Sequence, residues 1–228
     1  MREDSKTIIF ALGICLVCSV LLSGLAAGLK KIQTANREFD VKRNIVKAFG
    51  VDIGVLTKSE IEDKYSTHIS KNTIDLDSEI IFGDGKPYSQ INVFSWKDDV
   101  NSEPSKYAFP IAGKGLWSVL YGYLAIDADI ETIVGISFYA HKETPGLGAE
   151  VDNPKWKAQW KGKKIYKDNK VNLAVIKGKV EAGDSESTYK IDGLSGATIT
   201  SRGVTNMVAY WFGESGYSSL LRELDYES

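Results

Sequence analysis

The sequence predicts an α+β fold: one domain with a mixed or antiparallel sheet and flanking helices, preceded by one N-terminal transmembrane helix. Three observations carry this. An uncharged apolar run from Thr7 to Leu29 closes on Lys30 and Lys31. Short segments rich in β-formers occupy the middle of the chain, at 91–96, 119–126, 132–138 and 171–176. Helical periodicity appears before and after them without regular β-α alternation, which separates α+β from a doubly wound parallel sheet.

The apolar run, about 23 residues long, matches the thickness of a bilayer. The competing reading is a cleaved signal peptide, whose apolar core is shorter, roughly 7–15 residues. The small residues around Leu25-Ala26-Ala27-Gly28 would suit cleavage. A retained anchor over 7–29, behind a tail of residues 1–6, is the expectation. Gly13, Gly24 and Gly28, with Ser19 and Ser23, leave room for a partner helix to pack closely. Both cysteines of the chain, Cys15 and Cys18, fall inside the run. Two thiolates do not complete a tetrahedral metal site, so they read as small apolar helix residues. The span holds no charge on which an ion pathway could depend. Arg2 and Lys6 precede it; Lys30, Lys31, Arg37, Lys42 and Arg43 follow, partly offset by Glu38 and Asp40. Read by the positive-inside rule, this bias places the main domain in the cytoplasm.

After the span, 32–49 reads as a juxtamembrane helix: Val41, Ile45, Val46 and Phe49 recur at helical spacing, and Gly50 is a natural stop. Residues 58–71 are polar and give no decisive pattern. Ile91 to Trp96 reads as a strand. The runs 119–126 and 132–138, joined through Ala128-Asp129-Ile130-Glu131, read as a hairpin, and 171–176 as a further strand. Asn153-Pro154 opens a helix with Asn as cap and Pro in its first turn; Trp156 and Trp160 share a face, and Gly162 ends it. A last helix runs from Ser201 to about Phe212, with Val204, Val208 and Trp211 on one face and Gly213 as its stop. No repeat, low-complexity segment or flexible linker interrupts residues 32–228, so these form one domain.

The chain has 228 residues, with hydrophobic and charged contents of 43% and 25% that are ordinary for a globular protein. A net charge of −2 gives no basis for nucleic acid or an anionic membrane surface as partner. Eleven Tyr, eight Phe and five Trp either fill core or line a site for a flat ring.

Three motifs carry chemistry. Asp192 to Ser201 holds a turn, small residues and a run of hydroxyls ahead of the last helix. Gly196 and Ala197 allow close approach to the backbone, and hydroxyls and N–H groups at a helix start suit a phosphate. Thr200 or Ser201 would cap the helix, and Lys190 and Arg202 could offset the charge of a phosphodiester on Thr198. The alternative is a Gly-containing turn with an ordinary Ser/Thr cap. No Asp/His pair nearby activates the Thr198 hydroxyl, which suits an acceptor of a group placed by another enzyme. In His141-Lys142-Glu143-Thr144-Pro145-Gly146-Leu147-Gly148, Pro145 fixes a turn and Gly146 and Gly148 permit positive φ, so the loop can offer backbone groups to a ring's polar edge. It also reads as a plain surface turn. Glu143 reads as a loop-organising acceptor rather than a general base. His141 has one other histidine in the chain, His68, which argues against a metal cluster. Ile111 to Ser118 contains G-x-G without the rest of a dinucleotide or P-loop fingerprint; alone it is a turn into a strand, with Trp117 in the core.

Taken in order behind a single span, Gly113-Lys114-Gly115-Leu116-Trp117-Ser118, the 141–148 loop, the 191–204 segment and Tyr210-Trp211-Phe212-Gly213 resemble the C subunit of the Na+-translocating NADH:quinone oxidoreductase. The G subunit of the Rnf electron-transport complex shares the 141–148 and 195–198 elements; the Gly113 to Trp117 segment favours the quinone reductase. The Ser195-Gly196-Ala197-Thr198 segment resembles the flavinylation motif of such complexes. The resemblance implies an FMN-binding domain in which FMN is joined through its phosphate to Thr198 by a separate flavin transferase. It implies noncovalent contacts from Ser195, Gly196, Ala197, Glu143, Thr144, Gly146, Leu147, Gly148 and Trp117, with no acid/base residue or metal required of this chain. The flavin would relay electrons during NADH oxidation by quinone coupled to sodium export. The implied partners are the other subunits of that complex (A, B, D, E and F) and the lipid bilayer. The implied location is the bacterial inner membrane, single-pass, with the domain on the periplasmic side, opposite to the charge bias. A membrane-anchored binding or assembly module without a redox centre is the reading from a different class.

Overall fold

The predicted span lies within α1, Glu3–Ala48, in the computed structural model, which describes residues 3–81, 87–99 and 101–227. No break separates the span from the helix expected at 32–49. The chain divides into two compact units, Met1–Asp40 and Val41–Ser228. In the first, the helix is long and apolar enough to cross a membrane, and Ile8, Phe10, Leu12, Leu16 and Leu22 are all exposed. Cys15 and Cys18 are free and exposed within it.

In the second unit, α1 ends at Ala48 and a turn at Phe49-Gly50 follows. The helix α2, Lys58–His68, starts at a capping box: the Thr57 hydroxyl accepts from the Glu60 N–H, and the Glu60 carboxylate accepts from the Thr57 N–H. Five antiparallel strands then form a meander in sequence order: β1, Ile69–Ile81; β2, Pro87–Trp96; β3, Lys106–Lys114; β4, Val119–Asp127; and β5, Ile133–Ala140. The hairpin through Ala128 to Glu131 is the one the sequence predicts, between β4 and β5. A 3-10 turn at Gly148–Asp152 leads into α3, Pro154–Ala158, where the Asn153 side chain accepts from the Lys155 N–H as an N-cap. Beyond it lie β6, Tyr166–Lys167; β7, Lys170–Val171; β8, Ala174–Val175; β9, Lys190–Ile191; α4, Thr198–Trp211; and α5, Ser218–Glu227.

Both faces of the sheet are covered. On one, Ile45, Val46, Ala48 and Phe49 of the α1 end and Ile61 of α2 are buried together with Phe94, Trp96, Ala108, Tyr123 and Ala125. Ser137 of β5 anchors this layer by donating from its hydroxyl to Asn44 Oδ1 at 2.8 Å. On the other, Phe109, Ile111, Leu120, Leu124, Ile133, Ile136 and Phe138 form a larger core with Trp156, Trp160 and the inner face of α4. Val204, Val208 and Trp211 bury as their spacing predicts. Trp211 also satisfies its indole N–H, which donates to the Ala112 carbonyl at 2.7 Å. Deleting such a buried aromatic costs about 3–5 kcal/mol.

Three expectations change. The strand at 171–176 is two short pieces: β7 pairs antiparallel with β6, and β8 pairs parallel with β9. The N–H groups of Asn172 and Leu173 both turn to the Ile165 carbonyl, which bends the chain between the pieces. The last helix begins at Thr198, with Ala197 in the N-cap position, so Thr200 and Ser201 sit in the first turn and cap nothing. The helix opened by Asn153 is shorter than predicted: Trp160 lies in the turn after it and still meets Trp156 edge-on at 5.5 Å.

Candidate cofactor site around Thr198

The start of α4 and two loops are brought together by one carboxylate. Glu143 is buried, at 5% exposure, although it belongs to a loop whose neighbours Lys142, Thr144 and Pro145 are exposed. Its Oε1 accepts from the N–H groups of Trp117 at 2.9 Å and Ser118 at 3.0 Å. Its Oε2 accepts from the Leu116 N–H at 3.2 Å and from the Thr200 hydroxyl at 2.7 Å. Burial alone would raise the pKa of this carboxyl. The donors from Thr200, Trp117, Ser118 and Leu116 outweigh burial and hold it below its ordinary value, so it is ionised. The anion replaces water with four fixed donors, which is why a carboxylate is tolerated there. A side-chain carbon added at Gly148 would sit 2.6 Å from Glu143 Oε2, and one at Gly115 would sit 2.5 Å from Oε1. The glycines flanking this carboxylate are therefore a requirement of close approach.

The network continues outward from Glu143. Its N–H donates to His141 Nδ1 at 3.3 Å, while His141 Nε2 lies 2.8 Å from Asp152 Oδ2. With Nδ1 accepting, the neutral ring carries its proton on Nε2 and donates it to Asp152. The other oxygen of Asp152 meets the Lys157 ammonium at 3.4 Å. Lys157 is buried at 7% exposure and lies within hydrogen-bonding reach of the Lys47 side chain at the end of α1. Burial, and then the neighbouring Lys47, push its pKa down to about 8. Side chains from α1, α3, the 3-10 turn, the 141–148 loop and α4 are thus linked in series.

Thr198 itself is the first residue of α4 and is exposed. Ala197 offers no side-chain cap to the helix, so the first-turn N–H groups keep their pull on an anion. Ser195 and Gly196 are exposed in the preceding turn, Gly196 with φ +70°, and Ala197 is buried. Leu147 packs against Gly196 and is 42% exposed. Thr144 and Gly146 are exposed in the same loop, where the Thr144 carbonyl accepts from Leu147 and Ala149. Trp117 is 71% exposed, which overturns its reading as a core residue. Leu116 and Ile199 are exposed as well, so large apolar side chains stand in solvent in each of the three segments joined by Glu143. Of the two cations expected to offset a phosphate, Lys190 is held by Asp184 at 2.7 Å, and only Arg202 is exposed near the start of α4. Ser201, predicted as a cap, accepts the Leu194 N–H at 3.0 Å and closes the turn before Thr198. Among the described residues, no group of three or more His, Cys, Asp or Glu could hold a metal.

The sequence profile of the FMN-binding domain family matches residues 115–213, which include all three segments. The C subunit of the Na(+)-translocating NADH-quinone reductase of Pseudomonas aeruginosa is 36% identical over 253 residues, covering 98% of this chain and 97% of the relative. That of Yersinia pestis is 33% identical, covering 96% and 92%. This chain belongs to the family of Na(+)-translocating NADH-quinone reductase C subunits. The crystal structure of the Shewanella oneidensis member, NqrC, superposes with a TM-score of 0.74 at 30% identity, over 84% of this chain and 99% of that one. The Parabacteroides distasonis member superposes with a TM-score of 0.66 at 30% identity, over 85% and 96%. The region of this NqrC-family chain that matches the FMN-binding family therefore includes β4, β5, α4 and the Glu143-centred loops.

Asp152, Lys157, Lys47 and Thr200 take part in the network without having been singled out as site residues by the sequence. The one available signal was Glu143: a buried carboxylate needs donors, and a hydroxyl three residues before Gly203 on an inward helix face is such a donor.

Proposed function

We propose that this chain is the electron-carrying C subunit of a Na+-translocating NADH:quinone oxidoreductase, with FMN esterified through its phosphate to Thr198 Oγ1. The observation that carries the reading is the exposed Thr198 at an uncapped helix start, fixed by the Thr200–Glu143 hydrogen bond to the 115–118 and 141–148 loops. Bound FMN supplies a redox group that cannot diffuse away. The chain's own part is positional. Thr198 provides the attachment oxygen, which a flavin transferase esterifies. The first-turn N–H groups of α4 and Arg202 balance the anionic phosphodiester. Trp117, Leu116, Leu147 and Ile199 offer apolar surface for a planar ring, with Ser195, Gly196, Thr144 and Gly146 as its polar surroundings. Glu143 keeps those segments in register, and no proton transfer is asked of it.

The same proposal covers the tail 1–6, the membrane anchor 7–29 and the extracytoplasmic domain 32–228. It places the protein in the bacterial inner membrane with the domain in the periplasm. It also covers assembly with the A, B, D, E and F subunits, and coupling of electron flow to sodium export. The equivalent Rnf subunit is not favoured, because the Pseudomonas and Yersinia relatives are named for the quinone reductase. A binding or assembly module without a redox centre conflicts with the match to the FMN-binding family. Co-expression with a flavin transferase tests the core of the reading: the denatured chain should be fluorescent in a gel. A nonfluorescent chain under those conditions overturns it.

A further inference from the structure

Residues 155–179 hold nine lysines and one carboxylate, Asp168, in a chain whose net charge is −2. Four of the nine are spoken for: Lys157 by Asp152, Lys164 by Glu131, Lys167 by Glu186, and Lys163 by the Ser187 carbonyl. Of the other five, Lys170 is exposed on β7, and Lys155, Lys161, Lys177 and Lys179 are exposed as well. Local bonds gather these four. The Trp156 indole donates to the Asp192 carbonyl at 2.8 Å, and the Asp192 N–H donates to Gln159 Oε1 at 3.0 Å. From the other side, the Val180 N–H donates to Asp192 Oδ1 at 2.8 Å, and the Gly193 N–H donates to the Gly178 carbonyl at 2.7 Å. Each of the four lysines lies within two residues of a group that bonds Asp192 or Gly193. They converge on the stretch that leads, five residues later, to Thr198. In the same loops Asp184 is paired with Lys190 and Glu186 with Lys167. Glu181 and Asp192 then stand against the four lysines, so the surface stays net positive, and the carboxylate of Asp192 accepts from the Val180 N–H.

From this convergence we infer that Lys155, Lys161, Lys177 and Lys179 form a docking surface for an acidic face of another protein in the assembly this chain joins, an inference that rests on the proposed function. A protein face fits better than lipid. Helices that lie in a membrane interface pair lysines with exposed large apolar side chains that enter it, and none of the exposed large apolar residues lies in 155–179. That leaves only the charge attraction of anionic headgroups as a lipid contact, a case the test below separates. Charge of this kind acts chiefly on encounter rate and orientation. The surface would bring the partner to the side of the domain from which the chain enters the Thr198 turn.

The test uses the full-length chain in a zwitterionic detergent and the remaining complex purified from cells lacking it. Association is followed by interferometry from low to high salt, for the wild type, for the charge-reversed variant K155E/K161E/K177E/K179E, for its Gln counterpart, and for K71E as a surface control. The wild type should associate fastest at low salt. Charge reversal should slow association about tenfold or more and flatten the salt dependence, and the Gln variant should fall between. Melting temperature, flavin content and the K71E rate should stay at wild-type values. Association and salt slope unchanged in the reversed variant overturn the inference and leave the proposed function standing. A wild type that does not associate overturns both. A salt dependence that appears only when phosphatidylglycerol is added to the micelles assigns the lysines to lipid and overturns the inference as well.

Discussion

The Thr200 hydroxyl donates to Glu143 Oε2 at 2.7 Å, joining the first turn of α4 to a loop 57 residues earlier in the chain. The same carboxylate takes the Trp117, Ser118 and Leu116 N–H groups. Glu143→Gln keeps the shape but replaces an anion by a neutral amide that accepts through one oxygen only. At least one donor is stranded, at a cost of about 2 kcal/mol, read in denaturant unfolding at pH 7. The pH dependence follows from the lowered pKa. The folded carboxyl ionises below the ordinary 4.5, so its contribution is present above that value and is lost as pH falls through the folded one. The wild type should therefore lose stability below about pH 4.5 more steeply than Glu143→Gln. Parallel curves would remove Glu143 as the anion that ties these loops.

Thr198 and Thr200 are two residues apart and have opposite surroundings: the first is exposed, the second fully buried. Only the first can present its hydroxyl to another enzyme. With a flavin transferase co-expressed, Thr198→Ala should abolish the fluorescent band on a denaturing gel and leave the melting temperature nearly unchanged. Thr200→Val should keep the band and cost about 1–2 kcal/mol, because Glu143 loses its closest donor. Loss of the band in Thr200→Val alone, with Thr198→Ala still labelled, would move the attachment site.

This contrast also marks how far the sequence could be read. Thr200 and Ser201 look like caps because hydroxyls precede an amphipathic pattern. Their true roles depend on Glu143 and Leu194, which local spacing cannot reveal. The β4–β5 hairpin was legible from its apolar runs around Ala128 to Glu131. Strand β3 was hidden, since Pro110 and the G-x-G segment at its end read as loop. Strand β1 was hidden for a different reason: its residues Ser70 to Thr73 are exposed on a sheet edge and show no buried alternation. The chain of Lys47, Lys157, Asp152 and His141 draws on four separate segments, and nothing in their spacing announces it.

Lys47 and Lys157 supply a prediction of opposite sign to that for Glu143. The Lys157 pKa is pushed from 10.5 down to about 8, first by burial and then by Lys47. Between those values the unfolded chain binds the extra proton and the folded chain does not. Stability therefore rises with pH from about 8 to about 10.5, and Lys157 is a burden on the fold at neutral pH. Lys47→Met removes the competing ammonium and leaves the Lys157–Asp152 contact at 3.4 Å in place. The variant should be more stable than wild type at pH 7, by about 1 kcal/mol, with a shallower rise at alkaline pH. A variant less stable than wild type at pH 7, with an unchanged alkaline slope, would show that the two ammoniums do not repel across this layer.

Orientation is the sharpest conflict between charge and family. Lys30, Lys31, Arg37, Lys42 and Arg43 follow the apolar run and outnumber Arg2 and Lys6 before it, which by the positive-inside rule holds the domain in the cytoplasm. Glu38 and Asp40 lie among these cations, but carboxylates carry little weight in that rule. The proposed function places the domain on the periplasmic side, against this bias. Val55 is 82% exposed in the loop between α1 and α2. A Val55→Cys variant, with Cys15 and Cys18 changed to Ser, should react with a membrane-impermeant maleimide on intact cells. Labelling only after lysis would place the domain in the cytoplasm and would return the decision to the lysines and arginines after the span.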